Sequence, residues 1–233
     1  MTKPFLLIYT PANMGMLYKD YGATLIKLTL TLERAGIEFL YVNAECSDIV
    51  QGRATALDIF QRYPQCTHLW FLDADMDFDP PTAILEMLAA DEDVVAGAYP
   101  CRGPDPTWMC MAPDVTVNEK GLIEATHVAT GCMLLKRGVI GRLIEAYPEL
   151  QMEFGWRGEL KSFLFFDARP SLDNPNIYIS DDYGFCELWR KIGGKLWIYP
   201  DITFRHYWTT YNHGNFGEWL KARAEQAAEV ANV

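Results

Sequence analysis

The sequence predicts an α/β fold built on a mostly parallel central sheet, with helices on both faces and a smaller antiparallel part. Three observations predict it. Short apolar runs alternate with amphipathic stretches over the first hundred residues; the connections between them are short; and a Pro/Gly-rich break near residue 100 is followed by a pattern that reads as antiparallel strands.

Phe5–Tyr9 is the first expected strand, five apolar residues between Pro4 and Thr10-Pro11. An amphipathic stretch from Asp20 to Arg34 reads as a helix stopped by Gly36. Glu38–Val42 is a second strand, Asp48–Tyr63 a second helix and His68–Leu72 a third strand. Asp79-Pro80-Pro81 is expected to cap and open the next helix, because Asp accepts first-turn amides and Pro fits there. That helix closes near Asp91, and Val94–Ala98 is a fourth strand. Strands joined by helices in this order imply right-handed crossovers. Tyr99–Trp108 then reads as a loop, and Met109–Leu135 as antiparallel strands turning near Asn118–Gly121. Residues 137–150 look helical, and 151–176 aromatic-rich and irregular. Ser180–Ile192 is a helix closed by Gly193-Gly194, followed by strands at Leu196–Tyr199 and Thr203–His206. Asn215 and Glu218 have capping-box spacing for a final helix to about Val230.

The chain has 233 residues, 50% hydrophobic and 22% charged, with a formal net charge of −11. That length supports one sizeable core. The acidic balance gives no cationic field for a phosphate backbone, so no nucleic-acid partner is expected. No apolar run approaches the ~20 residues of a transmembrane helix, and the N-terminus does not read as a signal peptide. Six cysteines without a C-x-x-C pair read as reduced thiols, so a cytoplasmic protein is expected.

The chemistry concentrates in three stretches. An apolar strand, His68–Leu72, runs directly into Asp73-Ala74-Asp75-Met76-Asp77-Phe78-Asp79. On an extended backbone Asp73 and Asp75 point to one side, at the carboxyl end of a parallel strand, where ligands bind in such sheets. Two carboxylates with open positions suit a hard divalent cation. A calcium loop is disfavoured, because its sixth position would be Phe78 and its twelfth Ile84. The second stretch is Ser180-Asp181-Asp182, in which one residue caps the helix and the neighbouring carboxylate is left for chemistry. The third is Thr203-Phe204-Arg205-His206-Tyr207-Trp208, where His206 is a candidate further metal ligand. His213 lies in a turn context, and His68 and His127 read as structural.

Taken in order, Leu69–Phe78, Val94–Pro100, Ala129–Lys136, Ser180–Cys186, Gly193–Asp201 and His206 resemble the nucleotide-sugar-dependent glycosyltransferases of GT-A fold. The likeness is to the small family-2-like and Anp1-like members of bacteria and of large viruses or phages, and it covers roughly residues 5–210. The resemblance implies that Asp73 and Asp75 form a D-x-D motif holding a manganese or magnesium ion against the donor diphosphate, with Ala74 between them at the substrate. It implies that Asp182 is the general base of an inverting transfer, with Asp181 beside it where the family has an E-D pair, and that His206 is a late metal ligand. Thr10 and Pro11 fall where nucleobase contacts are made. Arg53 matches the Arg of an Ala-Arg-Asn motif, although here the stretch reads Gly52-Arg53-Ala54. Thr130-Gly131 would lie beneath the acceptor, and Trp108, Trp156, Tyr207, Trp208 and Tyr211 are candidate sugar platforms. Arg53 or Arg205 would add positive charge at the diphosphate.

The chain then divides into a nucleotide-binding half (1–100), an acceptor half (101–214) and a C-terminal helix (215–233) of one domain. The expected partners are a nucleotide-sugar donor, most simply a uridine diphosphate sugar, and a glycan, lipid-linked or glycoprotein acceptor. Anp1-like members carry a membrane anchor that is not expected here. Two other readings exist. One is a haloacid-dehalogenase-type phosphohydrolase using Thr130, Lys136 and Asp181-Asp182, which wants Thr or Val where this chain has Asp77. The other is a non-catalytic sugar-binding relative.

Overall fold

The computed structural model describes residues 3–102, 107–155, 160–207 and 211–231. Its elements in order are β1 (Phe5–Ala12), α1 (Lys19–Arg34), β2 (Glu38–Glu45), α2 (Ile49–Arg62), β3 (His68–Leu72), β4 (Met76–Asp79), α3 (Ala83–Ala89) and β5 (Val94–Gly97). Then come β6 (Cys110–Met111), β7 (Ile123–Ala125), β8 (His127–Val128), β9 (Cys132–Lys136), α4 (Arg137–Ala146), β10 (Gln151–Phe154), β11 (Leu160–Phe163), β12 (Arg169–Pro170) and β13 (Tyr178–Ile179). The chain closes with α5 (Asp181–Lys191), β14 (Leu196–Tyr199), β15 (Thr203–Tyr207), β16 (Tyr211–Asn215) and α6 (Phe216–Ala231).

Seven strands form the central sheet in the order β2-β1-β3-β9-β5-β14-β7. β2, β1, β3, β5 and β14 run one way, while β9 and β7 run against them. The fold is therefore a mixed α/β sheet that is mostly parallel, and β9 enters its middle antiparallel. Alternation along each strand sends side chains to two separate cores. Leu7, Phe71, Ala96, Leu135 and Ile198 face α2, α4 and α5. Leu6, Ile8, Trp70, Val95 and Leu134 face α1 and α3. Helices thus cover both faces, which is why the central strands read as continuous apolar runs.

Most expected elements form near their expected bounds, with three differences. β1 continues through Pro11 to Ala12. Beyond Tyr9 it pairs only with β2, so Pro11 sits where one side of the strand has no partner and no donor is missed. Asp79 does not cap α3. Met76–Asp79 is a strand antiparallel to β15, and the helix begins later, at Ala83. The irregular stretch after residue 150 contains a β10–β11 hairpin. The Asn215 cap formed as expected, accepting from the Glu218 amide at 3.0 Å, and Asp48 caps α2 by accepting from the Val50 amide at 2.9 Å. Gly36, at φ 65°, occupies the left-handed position that ends α1.

Since β9 ties β3 to β5, its buried side chains carry the sheet. Leu135→Ala is expected to cost ~2–5 kcal/mol in chemical denaturation, whereas Ile26→Ala, on the exposed side of α1, should change stability by less than ~0.5 kcal/mol.

Candidate functional site

Between the end of β3 and the start of β4 the chain makes a tight turn at Asp73-Ala74-Asp75. The extended run expected here is absent because three other elements take the turn's backbone groups. The Asp73 amide donates to the Gly131 carbonyl at 2.9 Å, the Tyr18 amide to the Ala74 carbonyl at 3.2 Å, and the Tyr207 amide to the Asp75 carbonyl at 2.8 Å. Both carboxylates still reach one cleft of about 500 Å³, which Ala74, Pro11, Tyr18, Ile49 and Arg102 also line. The cleft opens at the carboxyl ends of β1 and β3, the end at which ligands bind in open α/β sheets.

Asp73 is held from below by α2. Arg53 is 1% exposed, donates from Nη2 to Asp73 Oδ1 at 2.8 Å, and lies over the Phe71 ring. Its Nε and Nη1 are buried without a hydrogen-bond partner. Burial opposes the charge, but the carboxylates of Asp73 and Asp182 outweigh it and hold the guanidinium protonated. Asp182, in the first turn of α5, accepts from the Thr130 hydroxyl at 3.3 Å. Its carboxyl is pushed up to about 7, chiefly by burial and then by the charge of Asp181, with Arg53 pulling the other way. Asp182 is thus linked to Asp73 through Thr130-Gly131 and through Arg53, although it does not line the cleft itself.

On the other side stand Asp75 and His206. The His206 Nδ1 lies 2.9 Å from the Pro100 carbonyl, which can only accept, so Nδ1 carries the proton. Nε2 is left as an acceptor 3.8 Å from Asp75 Oδ2. Burial pushes the imidazole's pKa down. The Arg102 guanidinium lies on both groups, donating from Nε to His206 Nε2 at 3.1 Å and pairing through Nη2 with Asp75. A lone-pair nitrogen beside carboxylate oxygens is a donor set that suits manganese or magnesium, and the Nδ1–H bond to a carbonyl is the usual way a ligating imidazole is oriented. Asp75 and His206 are thus of the types that hold a divalent cation, and Asp73 lines the same cleft. As placed, no three His, Cys, Asp or Glu side chains among the described residues stand close enough together to hold one, and Asp73 is bonded to Arg53.

The remaining expected residues fall differently. Pro11 and Ala74 line the cleft. Thr10 does not reach it: the residue is fully buried, with its hydroxyl on that of Tyr21. Gly131 is required by packing, since a Cβ there would lie 2.5 Å from the Tyr99 hydroxyl and 2.6 Å from the Met76 methyl. Its amide also donates to the Tyr99 hydroxyl at 3.1 Å. Asp181 opens α5 beside Asp182, and Ser180 makes no side-chain cap bond. Asp77 and Arg205 form a two-point pair at 2.8 and 2.5 Å, joined by the Tyr207 hydroxyl at 3.0 Å, so both are engaged in holding β4 against β15. Tyr207 stacks on Tyr18 at the cleft. Trp108 packs on Phe216 and Trp219, away from it. Trp156 and Trp208 lie outside the described residues, and Tyr211 is described only as strand backbone. His213 is exposed on β16. Lys136 sits opposite His68 at the far end of β9 and pairs with Asp91, so it cannot serve the aspartates as the phosphohydrolase reading requires.

No protein-family model matches this chain, and no curated protein does. Solved structures do match. The crystal structure of A197 from STIV is similar over 87% of this chain and 85% of that one, at 18% identity and a TM-score of 0.50. That likeness is one of fold. Two partial likenesses accompany it. A glycosyltransferase involved in the glycosylation of the major capsid of PBCV-1 matches at 12% identity and TM-score 0.35, over 62% of this chain and 67% of that one. Mannose-1-phosphate geranyltransferase from Thermus thermophilus matches at 14% and 0.39, over 61% and 60%.

Sequence reasoning missed Arg102, which lies in a Pro-rich loop without periodicity; its only signal was a cation just past the carboxyl end of an apolar strand. The Tyr18–Tyr207 stack had no sequence signal, since the two residues meet only through the turn between them.

Two outcomes test this geometry. Gly131→Ala should lower stability by ~1–3 kcal/mol through overpacking, read from its melting temperature. Asp182 binds its proton more tightly folded than unfolded, so its contribution to stability is complete below about pH 4 and is lost as pH rises toward about 7. Asp182→Asn should therefore raise the melting temperature relative to wild type more at pH 8 than at pH 5.

Proposed function

We propose that this chain is a metal-dependent glycosyltransferase that moves a sugar from a nucleotide-diphosphate sugar, most simply a uridine diphosphate sugar, to an acceptor hydroxyl with inversion. The acceptor class is a glycan, a lipid-linked sugar or a glycoprotein. The observation that carries this reading is the meeting of two carboxylate systems at the carboxyl ends of the sheet. Asp73-Ala74-Asp75 lines a cleft of nucleotide-sugar size, and Asp182, with a carboxyl raised to about 7, is joined to it through Thr130-Gly131.

A manganese or magnesium ion held by Asp75 and His206 with the help of Asp73 would supply Lewis-acid chemistry for the departing diphosphate. The rest is done by the chain. Asp182 takes the proton from the attacking hydroxyl, and a base poised near neutrality suits that task. Thr130 orients the carboxylate by donating to Oδ1. Arg53 keeps Asp73 in place and neutralises part of the negative charge that the site collects. Pro11, Ile49 and Tyr18 offer apolar contact for the nucleoside end of the donor. No helix among the described residues is long and apolar enough to cross a membrane.

The test is a screen of sugar nucleotides by thermal shift, with manganese and with chelator. The comparison is between wild type and the Asp73→Ala/Asp75→Ala variant. A donor at 100 times its dissociation constant should stabilise the fold by ~2.7 kcal/mol, in a metal-dependent way that the variant loses. For a binding donor, transfer should fall below about pH 7 and drop at least ~100-fold in Asp182→Asn. Stabilisation by no donor would sink the proposal, and near-normal transfer by Asp182→Asn would remove Asp182 as base.

A further inference from the structure

Arg102 bridges a carboxylate and a neutral imidazole that would otherwise point their lone pairs at each other. Asp75 Oδ2 and His206 Nε2 lie 3.8 Å apart; Nε2 has no proton to donate, because Nδ1 spends it on the Pro100 carbonyl. Two acceptors facing each other are relieved by a donor or a cation that reaches both. In this structure the cation is the guanidinium, through Nε on His206 and Nη2 on Asp75. The backbone of the loop brings it there. Pro100 bridges Trp108, the Cys101 amide donates to the Thr107 carbonyl at 2.6 Å, and the Met109 amide to the Tyr99 carbonyl at 2.9 Å. This ladder sets Arg102 beside the cleft, while 44% of its side chain stays exposed. The other guanidinium of the site behaves differently: Arg53 is sealed beneath Asp73 and has nowhere to go.

We infer that Arg102 is a built-in competitor for the divalent cation: it occupies the position between Asp75 and His206 in the metal-free protein, and an ion binds only by displacing it. The inference rests on the reading of this cleft as a metal site and adds a residue that the D-x-D pattern does not contain. A half-exposed arginine can leave its partners at small cost, and the apparent metal affinity is reduced by the fraction of time it stays. Displacement also leaves a free guanidinium lining the cleft that the ligand enters.

The experiment measures Mn²⁺ binding by calorimetry, without any nucleotide, to wild type, Arg102→Ala and the Asp73→Ala/Asp75→Ala variant. Arg102→Ala should bind Mn²⁺ ~5-fold more tightly than wild type. The gain should persist at ~0.5 M salt, where a merely long-range charge effect is screened. The double aspartate variant should bind none at this site. Equal or weaker Mn²⁺ binding by Arg102→Ala, a gain abolished by salt, or no binding by either protein overturns the inference. A wild type that binds Mn²⁺ but no sugar nucleotide would sink the glycosyl-transfer proposal and leave the Arg102 result standing.

Discussion

Four carboxylates, those of Asp73, Asp75, Asp181 and Asp182, crowd the carboxyl ends of the sheet, and the buried guanidinium of Arg53 is the constraint on which their arrangement depends. It is bonded to Asp73 and close enough to Asp182 to oppose the rise of that carboxyl. A charge with 1% exposure survives burial only when opposite charges face it. The dependence therefore runs both ways: the aspartates keep Arg53 charged, and Arg53 keeps them from repelling one another apart. Its two unpartnered nitrogens mark it as incompletely satisfied by the protein's own groups.

The sheet's order explains why these groups meet. Inserting β9 antiparallel between β3 and β5 brings the segment just before it, Thr130-Gly131, to the carboxyl end of β3. There the Gly131 carbonyl receives the Asp73 amide and Thr130 reaches Asp182. A parallel strand at that position would have presented its other end. The pairing of β4 with β15 does the same for the opposite wall, carrying His206 and Tyr207 to Asp75. The aspartate turn is thus gripped from both sides by segments more than 50 residues away in sequence.

Much of this was legible from local pattern. β3, α1, α2, α5 and β14 have apolar periodicity and end signals strong enough to place them within a residue or two, and the run of Asp73 and Asp75 after an apolar strand pointed to residues that line one cleft. What failed were inferences that assumed local satisfaction of local groups. Asp79 looked like a helix cap because Pro80-Pro81 follows, but its backbone found a strand partner in β15. Thr10 fell, by the resemblance, where nucleobase contacts are made, but β1 continues and the hydroxyl turns inward to Tyr21.

Side-chain periodicity and chain chemistry over a few residues were enough to set the element types, the two-faced apolar sheet and the presence of carboxylates at a strand's carboxyl end, so all three could be read before any fold was known. Which cation faces which carboxylate emerged only once the chain was folded: Arg53 on Asp73, Arg205 on Asp77 and Arg102 on Asp75 and His206. Those pairings join segments 20 to 128 residues apart, and nothing in local propensity ranks one arginine above another until the sheet's strand order has brought them together.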